Sequence, residues 1–406
     1  MSTSRRTPVT TGLVTALVGF TSSFAVVLAG LRAVGASDTE AASGLLVLCV
    51  TQAVGMIVLS WRYRLPITLA WSTPGAAMLA GAAATDGGWP AAVGAFVVTG
   101  LLVLATAGWP ALGRLVARIP QPVAHAMLAG VLLPLCVAPV RALVTSPWLV
   151  APVVLTWLVL LRRAPRWAVP AAFAMTMVVV GIWLARHGDA LDGPLLPHLA
   201  LTAPTLEWQA VVGIALPLYV VTMAAQNVPG VAVMASYGFT VPWRAAMATT
   251  GIGTVVGAPG GGHAINLAAI TAAMTAGPEA GPERERRWIA AQTAGWAYLV
   301  IALGSTALAT VVVAAPAGVV EAVAGLALIG TLGAALHGAV TAEGPREPAV
   351  VTFVVAASGV AVAGIGAAFW ALVAGVVVHA VVVRRASGAD AADEDAATSP
   401  SPTPGR

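Results

Sequence analysis

Two stretches of proline, glycine and small polar residues interrupt long apolar runs in this chain. The first reads STPGAA at residues 72–77, and the second reads GAPGGGHA at residues 257–264. Each leads into a helix-compatible stretch that is too short to span a bilayer, residues 76–84 and 264–276. Non-helical backbone is prohibitive where it faces lipid, so both stretches are predicted to line a cavity or to be buried in protein.

Each interruption would leave the N-terminus of a short helix pointing into the protein. Such a helix start carries free backbone N–H groups and about half a positive charge. We therefore expect two of them, facing one another, to form a site for an anion. Thr73 is predicted to be the N-cap ahead of Pro74, and the glycines of 260–262 would let a ligand approach the backbone closely. The alternative is that proline and glycine only kink packed helices, as is common in membranes.

A third polar interruption lies in the first apolar run of the second half, where Gln226 and Asn227 precede a Val-Pro-Gly sequence. Amides donate and accept hydrogen bonds without the cost of burying a charge. Gln226 in particular is predicted to contact the ligand, while the alternative is that both amides hold helices together. Asn266 lies three residues after His263, so we expect it to share a helical face with His263 and to contact ligand or brace the break.

Titratable groups are almost absent from the apolar runs. All sixteen acidic residues fall in loops, tails or the edges of these runs, so a carboxylate proton relay inside a membrane is not available. His263 is therefore the candidate for coupling proton movement to ligand binding. The alternative is a neutral His263 that only donates a hydrogen bond. The predicted ligand contacts are Ser72, Thr73, Pro74, Gly75, Ala76, Gln226, Asn227, Gly261, Gly262, His263 and Asn266.

The composition is that of an all-α polytopic membrane protein. Of 406 residues, 59% are hydrophobic and only 9% are charged, against about a quarter in soluble domains. The basic residues are all arginines between apolar runs, so the formal charge of +4 does not indicate nucleic-acid binding. Cys49 and Cys136 lie inside apolar runs without metal-ligand spacing. We expect no disulfide, no metal, no cofactor and no catalytic residues.

Apolar runs separated by glycine, proline and arginine predict fourteen transmembrane segments. They cover residues 11–33, 41–61, 67–84, 89–109, 120–140, 147–163, 167–185, 208–236, 243–259, 262–276, 287–313, 317–337, 348–364 and 366–383. With a cytoplasmic N-terminus, this count places seventeen of the twenty arginines inside and three outside, namely Arg32, Arg141 and Arg186. That asymmetry follows the positive-inside rule, so both termini are expected in the cytoplasm.

An odd number of segments in each half inverts the second half relative to the first, which is the inverted repeat of many secondary transporters. The first repeat is expected to span residues 1–187 and the second residues 208–385. An extracytoplasmic linker at 188–207 separates them, and residues 386–406 form an acidic, proline-rich cytoplasmic tail that is expected to be disordered. The interrupted segments are third in their respective halves, a pairing that points to a transporter binding site.

The motifs at 72–77, 226–233 and 257–273 resemble those of the benzoate:proton symporter (BenE) family, and the likeness extends from about Thr11 to Val383. The resemblance implies import of benzoate or a similar aromatic carboxylate with protons, by alternating access, across the bacterial inner membrane. It also implies kinship with nucleobase permeases and sulfate-type anion carriers. In that fold, seven plus seven inverted segments form a core and a gate domain, half-helices stand at segments 3 and 10, and the gate domains often form a homodimer.

Two departures from the relatives bear on the substrate. Nucleobase permeases of this fold carry glutamates in the eighth and tenth segments, where this chain has Gln226 and the region of His263. Because a carboxylate site would repel a carboxylate ligand, the resemblance favours an anion. Gly260 stands where relatives often carry a bulkier side chain, which implies a larger pocket and a substrate other than benzoate itself. The rival hypotheses are a nucleobase or other anion permease, a passive anion channel and a membrane-embedded enzyme.

Overall fold

A computed structural model of the chain describes residues 3–82, 87–109, 112, 119–187, 193–341 and 345–398, with side chains described within 7–382 except at 270. The helices are α1 (Thr3–Thr21), α2 (Phe24–Ala33), α3 (Asp38–Tyr63), α4 (Thr73–Ala80), α5 (Gly88–Gly108), α6 (Gln121–Thr145), α7 (Pro147–Arg163), α8 (Ala168–His187), α9 (Trp208–Ser236), α10 (Trp243–Gly257), α11 (Ile270–Ala276), α12 (Trp288–Val313), α13 (Val319–Val340), α14 (Glu347–Ala357) and α15 (Ala367–Thr398). Two strands, β1 (Leu69–Trp71) and β2 (Ile265–Leu267), complete the set.

The described residues include eight helical segments that are long and apolar enough to cross a membrane. They are Thr7–Ala33, Asp38–Tyr63, Gly88–Gly108, Gln121–Thr145, Pro165–His187, Trp208–Ser236, Arg284–Val313 and Val319–Val340. The chain is therefore a predominantly helical, multi-span membrane protein. Parts of three predictions lie outside the described residues: the end of the third segment at 83–84, the start of the linker at 188–192 and the end of the tail at 399–406.

The first predicted segment, 11–33, is not one uninterrupted helix. It divides into α1 and α2 at Ser22 and Ser23. The hydroxyl of Ser22 donates to the carbonyl of Gly19 at 2.9 Å, a local bond that competes with the helical ladder. Ser23 stands at the N-cap of α2 and accepts a hydrogen bond at 2.8 Å from the indole Nε1 of Trp71. The break therefore supplies a buried partner for a residue in the interrupted third segment.

The polar interruption at 225–230 does not break its helix. Instead, α9 contains two π-helical turns, Val211–Ala215 and Met223–Asn227, and each is followed within two residues by a proline. A proline has no N–H to give to the helical ladder, and a widened turn is one way for a helix to absorb it. Such turns occur often at functional sites, and the second one contains both Gln226 and Asn227.

The disorder predicted for the tail at 386–406 stays a prediction, and part of this tail continues the last helix. Helix α15 continues past residue 386 as far as Thr398. Alanine has the highest helix propensity of any residue, and 386–397 is rich in alanine.

The helices pack in two groups. In the first group, α1 and α3 pack on α12, α2 packs on α4, and α5 packs on α10. In the second, α6 packs on α13 and α14, α14 packs on α15, and α7 packs on α8. The two short strands and the long α9 lie with the first group. A large cluster of buried apolar side chains fills the first group, and a smaller one around Val150, Val180 and Val323 fills part of the second.

Candidate functional site

The two interrupted segments meet in a two-stranded antiparallel ribbon. Leu69 pairs with Leu267, Ala70 with Asn266, and Trp71 with Ile265. The pairing continues at each end, where Ser72 N donates to Ala264 O at 2.8 Å and Ala268 N donates to Thr68 O at 2.9 Å. Non-helical backbone inside a membrane protein has to find partners within the protein. Each segment supplies those partners to the other.

The outer edge of β2 is also satisfied, by side chains of neighbouring helices. Ile265 N donates to Thr254 Oγ1 of α10 at 3.1 Å, and Leu267 N donates to Asn227 Oδ1 of α9 at 2.8 Å. Asn227 is fully buried, and its Nδ2 donates to the sulfur of Met223 at 3.2 Å. Asn227 is therefore a brace for the ribbon, which is the second of the two roles that its sequence position allowed.

Helix α4 begins at the end of β1 with a side-chain cap. The N-cap is Ser72, one residue before the predicted Thr73, and its Oγ accepts from Gly75 N at 3.2 Å. Ser72 Oγ also accepts from Thr222 Oγ1 of α9 at 2.9 Å. Because Pro74 has no N–H and Gly75 N is taken by Ser72, the first turn offers one unoccupied backbone donor among the described residues, at Thr73.

The second interruption differs from its predicted form. A helix was expected from Ala264, but Ile265–Leu267 are extended and α11 begins only at Ile270. The extended conformation gives hydrogen-bond partners to the backbone N–H and C=O groups of β1. A helix at 264–268 would use its own backbone groups internally and could not do so. Gly261 and Gly262 thus precede a strand and not a helix start. For the same reason His263 and Asn266 do not share a helical face, since one is irregular and the other is extended.

The two helix starts do not face one another directly. Helix α4 follows the ribbon end where Ser72 meets Ala264, and α11 follows the end where Thr68 meets Ala268. Four residue steps of extended chain, from Thr68 to Ser72, separate these ends, which is about 14 Å. One carboxylate can therefore contact one helix start only. The start of α11 has no side-chain cap, whereas that of α4 has Ser72.

The glycines at 260–262 allow this segment to pack closely against α3. Gly261 has a φ of 93°, in the left-handed region, and a Cβ there would lie 3.0 Å from Gly44 Cα. A Cβ at Gly260 would lie 2.7 Å from a methyl group of Val47. A larger side chain at 260 would therefore press on α3. The expectation that Gly260 enlarges the pocket is wrong on this geometry.

Three buried side chains near the ribbon keep polar atoms without a hydrogen-bond partner among the described residues. They are Nε2 of His263, both amide atoms of Asn266, and both amide atoms of Gln52, which lies beside the hydroxyl of Tyr298. His263 Nδ1 accepts from Ala264 N at 2.6 Å, so the proton of a neutral imidazole resides on Nε2. Buried polar atoms are normally satisfied, and a group of exceptions calls for a ligand or water.

Gln52 was missed by the sequence analysis. It lies in α3, three residues before Gly55, whose Cβ would meet Leu69 of β1. Residues three apart share a helix face, which puts Gln52 on the side of α3 that packs on the ribbon. The signal was available, because an amide in the middle of an apolar run is a candidate functional residue by default. Thr222 was missed as well, since a lone threonine in a helix carries little signal.

Gln226 lies alongside the ribbon on α9. Thr222 contacts one end of the ribbon at Ser72, and Asn227 contacts the other at Leu267. Gln226 stands between them in the π-helical turn, is half-buried, and makes no side-chain hydrogen bond to another described residue. Its amide is thus free to bind a ligand. The remaining predicted contacts, Pro74 and Ala76, are buried in the first turn of α4.

This arrangement suits a small anion. Uncharged donors are present at Thr73 N, His263 Nε2 and the amides, and a helix start adds a partial positive charge. Within the described residues, no group of three His, Cys, Asp or Glu is placed to hold a metal ion. The apolar side chains of the ribbon, Leu69, Trp71, Ile265 and Leu267, are themselves buried.

A family model described as "Benzoate membrane transport protein" (BenE) matches residues 2–381. The chain belongs to the BenE family. It is 36% identical over 380 residues to the inner membrane protein YdcO of Escherichia coli K12, covering 91% of this chain and 94% of that protein. It is 26% identical over 377 residues to the benzoate membrane transport protein of Acinetobacter baylyi, with 92% and 94% covered.

Solved structures of anion transporters share the fold of this BenE protein. The transmembrane domain of the cyanobacterial bicarbonate transporter BicA superimposes with a TM-score of 0.61 at 16% identity, over 93% of this chain and 98% of that one. The murine Solute Carrier 26 family member A9 anion transporter, in its inward-facing state, gives 0.67 at 11% identity, over 94% and 69%. At these identities the likeness concerns the fold. Family and fold are thus those of membrane transporters.

Proposed function

We propose that this BenE protein is a secondary active transporter that takes up benzoate or a similar aromatic carboxylate together with protons. The observation that carries the proposal is the set of unpartnered buried polar atoms around a ribbon made by two interrupted membrane segments. The benzoate transport function of the Acinetobacter relative supports the choice of substrate. We further propose that the protein resides in the bacterial inner membrane with both termini in the cytoplasm.

The proposed architecture has fourteen segments in two inverted repeats of seven. In its support, a strand and a short helix come third in each half, as β1 with α4 and as β2 with α11. The first helix group would be the core domain and the second the gate domain. Alternating access would then arise from movement of the core domain against the gate domain. A homodimer formed through the gate domain is part of the proposal.

In the bound state, the substrate carboxylate lies at the start of α4. Thr73 N and the partial positive charge of the helix would stabilise it, and His263 Nε2 would donate a hydrogen bond. Gln226 would reach it from α9. The ring would extend along the ribbon toward α11. A neutral His263 is well suited to this role, because its Nδ1 is already occupied by Ala264 N.

Two carriers for the coupled proton are compatible with this site, His263 and the substrate carboxyl group itself. Uptake of labelled benzoate into proteoliposomes under an imposed pH gradient, acid outside, tests the coupling. His263→Gln keeps a hydrogen-bond donor but cannot carry the proton, and His263→Ala removes both. Accumulation by His263→Gln but not by His263→Ala identifies His263 as a donor only. Loss of accumulation in both variants, with benzoate binding retained in His263→Gln, identifies it as the carrier.

The substrate class is tested by comparing ligands. Benzoate should raise the unfolding temperature of the purified protein, and benzamide, which lacks the charge, should not. Equal effects of the two, or none from benzoate, would refute an aromatic carboxylate site.

A second candidate is transport of another anion, or passive anion conduction, by the same site. The structural likeness to a bicarbonate transporter favours keeping it. Competition of benzoate uptake by bicarbonate, sulfate or uracil would identify another permeant substrate. Current without accumulation against a gradient would identify a channel.

A further inference from the structure

A cavity of about 120 Å³ lies at the junction of the two helix groups, away from the ribbon. It is bounded by α2 and the end of α12 from the first group and by α6 and α13 from the second. This volume is roughly ten times what one water molecule needs. Alanine and valine form most of its wall, and two charged side chains line it, Arg32 and Glu321.

Arg32 stands in the last turn of α2 and is only partly used by the protein. Its Nε lies 2.8 Å from Asp38 Oδ1, and 30% of the side chain is exposed. Its Nη2 is buried and has no hydrogen-bond partner in the described part of the chain. A guanidinium presents its donors in a planar fork that matches a carboxylate. Arg32 therefore has an unused donor at the wall of an apolar cavity.

Glu321 lies in the first turn of α13, on the other helix group. Its Oε2 accepts from Gly318 N at 2.9 Å, which caps the helix. Among the described residues, Arg32 forms an ion pair within 4 Å with Asp38. Arg32 forms no such pair with Glu321. The cavity thus has one cation and one anion on separate walls, with apolar surface between them.

We propose that this cavity is an outer capture site for an aromatic monocarboxylate. Its carboxylate binds Arg32, and its ring lies on the alanine and valine wall. Glu321 is a like charge that weakens the binding. The inference rests on the proposed function and adds a second binding site to it. Arg32 is among the three arginines that the positive-inside rule assigns to the outside, so substrate would meet this cavity before the ribbon.

The opposite charges give the proposal a distinctive test. The KM of labelled benzoate uptake is measured in right-side-out and in inside-out vesicles. The proteins compared are wild type, Arg32→Gln, Arg32→Lys and Glu321→Gln. From the outside, Arg32→Gln should raise KM about tenfold, the effect of losing one charge-assisted hydrogen bond. Arg32→Lys should raise it less, because the charge remains and the fork is lost. Glu321→Gln should lower KM several-fold. From the inside, KM should not change.

Two results would overturn the capture site while leaving the proposed function intact. One is that the wild type takes up benzoate and every variant has the same KM as the wild type. The other is a change of the same sign in Arg32→Gln and Glu321→Gln, because two residues that pair to close a gate would lose the same contact. If Arg32→Gln does not reach the membrane, Glu321→Gln and Arg32→Lys decide the question by the same opposite signs. Absence of wild-type benzoate uptake would refute the proposed function and this site with it.

Discussion

Asn227 and Gln226 are adjacent amide side chains in one π-helical turn, and they make different contacts. Asn227 accepts from Leu267 N at 2.8 Å and is fully buried, whereas Gln226 is half-buried and makes no side-chain bond to another described residue. Replacing each in turn by leucine, which has nearly the shape of asparagine, removes the amide chemistry. We expect Asn227→Leu to destabilise the protein and Gln226→Leu to impair substrate binding instead.

The magnitude for Asn227→Leu follows from the bond that it breaks. Leu267 N–H would remain buried without an acceptor, which costs about 1–3 kcal/mol. An unfolding entropy of about 2.1 cal/mol/K per residue gives about 0.85 kcal/mol/K for 406 residues. The unfolding temperature should therefore fall by about 1–4 °C. Helices that persist in detergent after unfolding reduce this entropy, so the shift in detergent is at least this large.

The assay is thermal unfolding of detergent-purified protein, followed by the fluorescence of its thirteen tryptophans, together with the KM of benzoate uptake. Gln226→Leu should unfold within about 1 °C of wild type and raise KM about tenfold, from one lost hydrogen bond to a charged ligand. Thr254→Val, which removes the acceptor of Ile265 N, is the matched control and should behave like Asn227→Leu. Equal stability of Asn227→Leu and wild type would refute the assignment of Asn227 as a brace.

Three further substitutions test the surroundings of the ribbon by the same unfolding assay. Ser72→Ala removes the cap of Gly75 N and should cost about 0.5–2 kcal/mol, and an unchanged unfolding temperature would argue against the cap. Gly30→Ala puts a methyl group against the α4 backbone and should cost about 1–3 kcal/mol, whereas a neutral result would mean that α2 can move away. Trp71→Phe removes the hydrogen bond to Ser23 Oγ and should cost about 1–3 kcal/mol of stability. If the two residues act as a pair, the double variant Trp71→Phe/Ser23→Ala should be no less stable than Trp71→Phe alone.

The sequence was sufficient to find the interruptions, because proline and glycine in an apolar run have few explanations at membrane depth. It was not sufficient to assign their conformation. A three-residue strand such as Ile265–Leu267 has no periodicity to read, and its partner lies almost two hundred residues earlier. The predicted N-cap of α4, Thr73, lies one residue after the observed N-cap, Ser72, for a related reason. Both residues are good N-caps, and only the geometry of β1 selects between them.

Side-chain roles were harder to predict than backbone breaks. Asn227 and Gln226 read alike in sequence, and which one meets Leu267 N depends on the widened turn of α9. The sequence at Gly260 and Gly261 predicts room for a ligand, whereas in the structure helix α3 occupies that space. Glycine marks a place where something comes close to the backbone, and sequence alone does not say whether that is a ligand or another helix.

The pairing of β1 with β2 also constrains how the chain is assembled during synthesis. Leu69 cannot meet Leu267 until the intervening residues have left the ribosome, which takes about 10–40 s at 5–20 residues per second. Throughout that interval β1 has unpaired backbone groups at membrane depth, where lipid provides no hydrogen bonds. The N-terminal half is therefore an incomplete intermediate that needs water, an insertase or a chaperone beside it. Its last stabilising step is the arrival of the segment that carries β2.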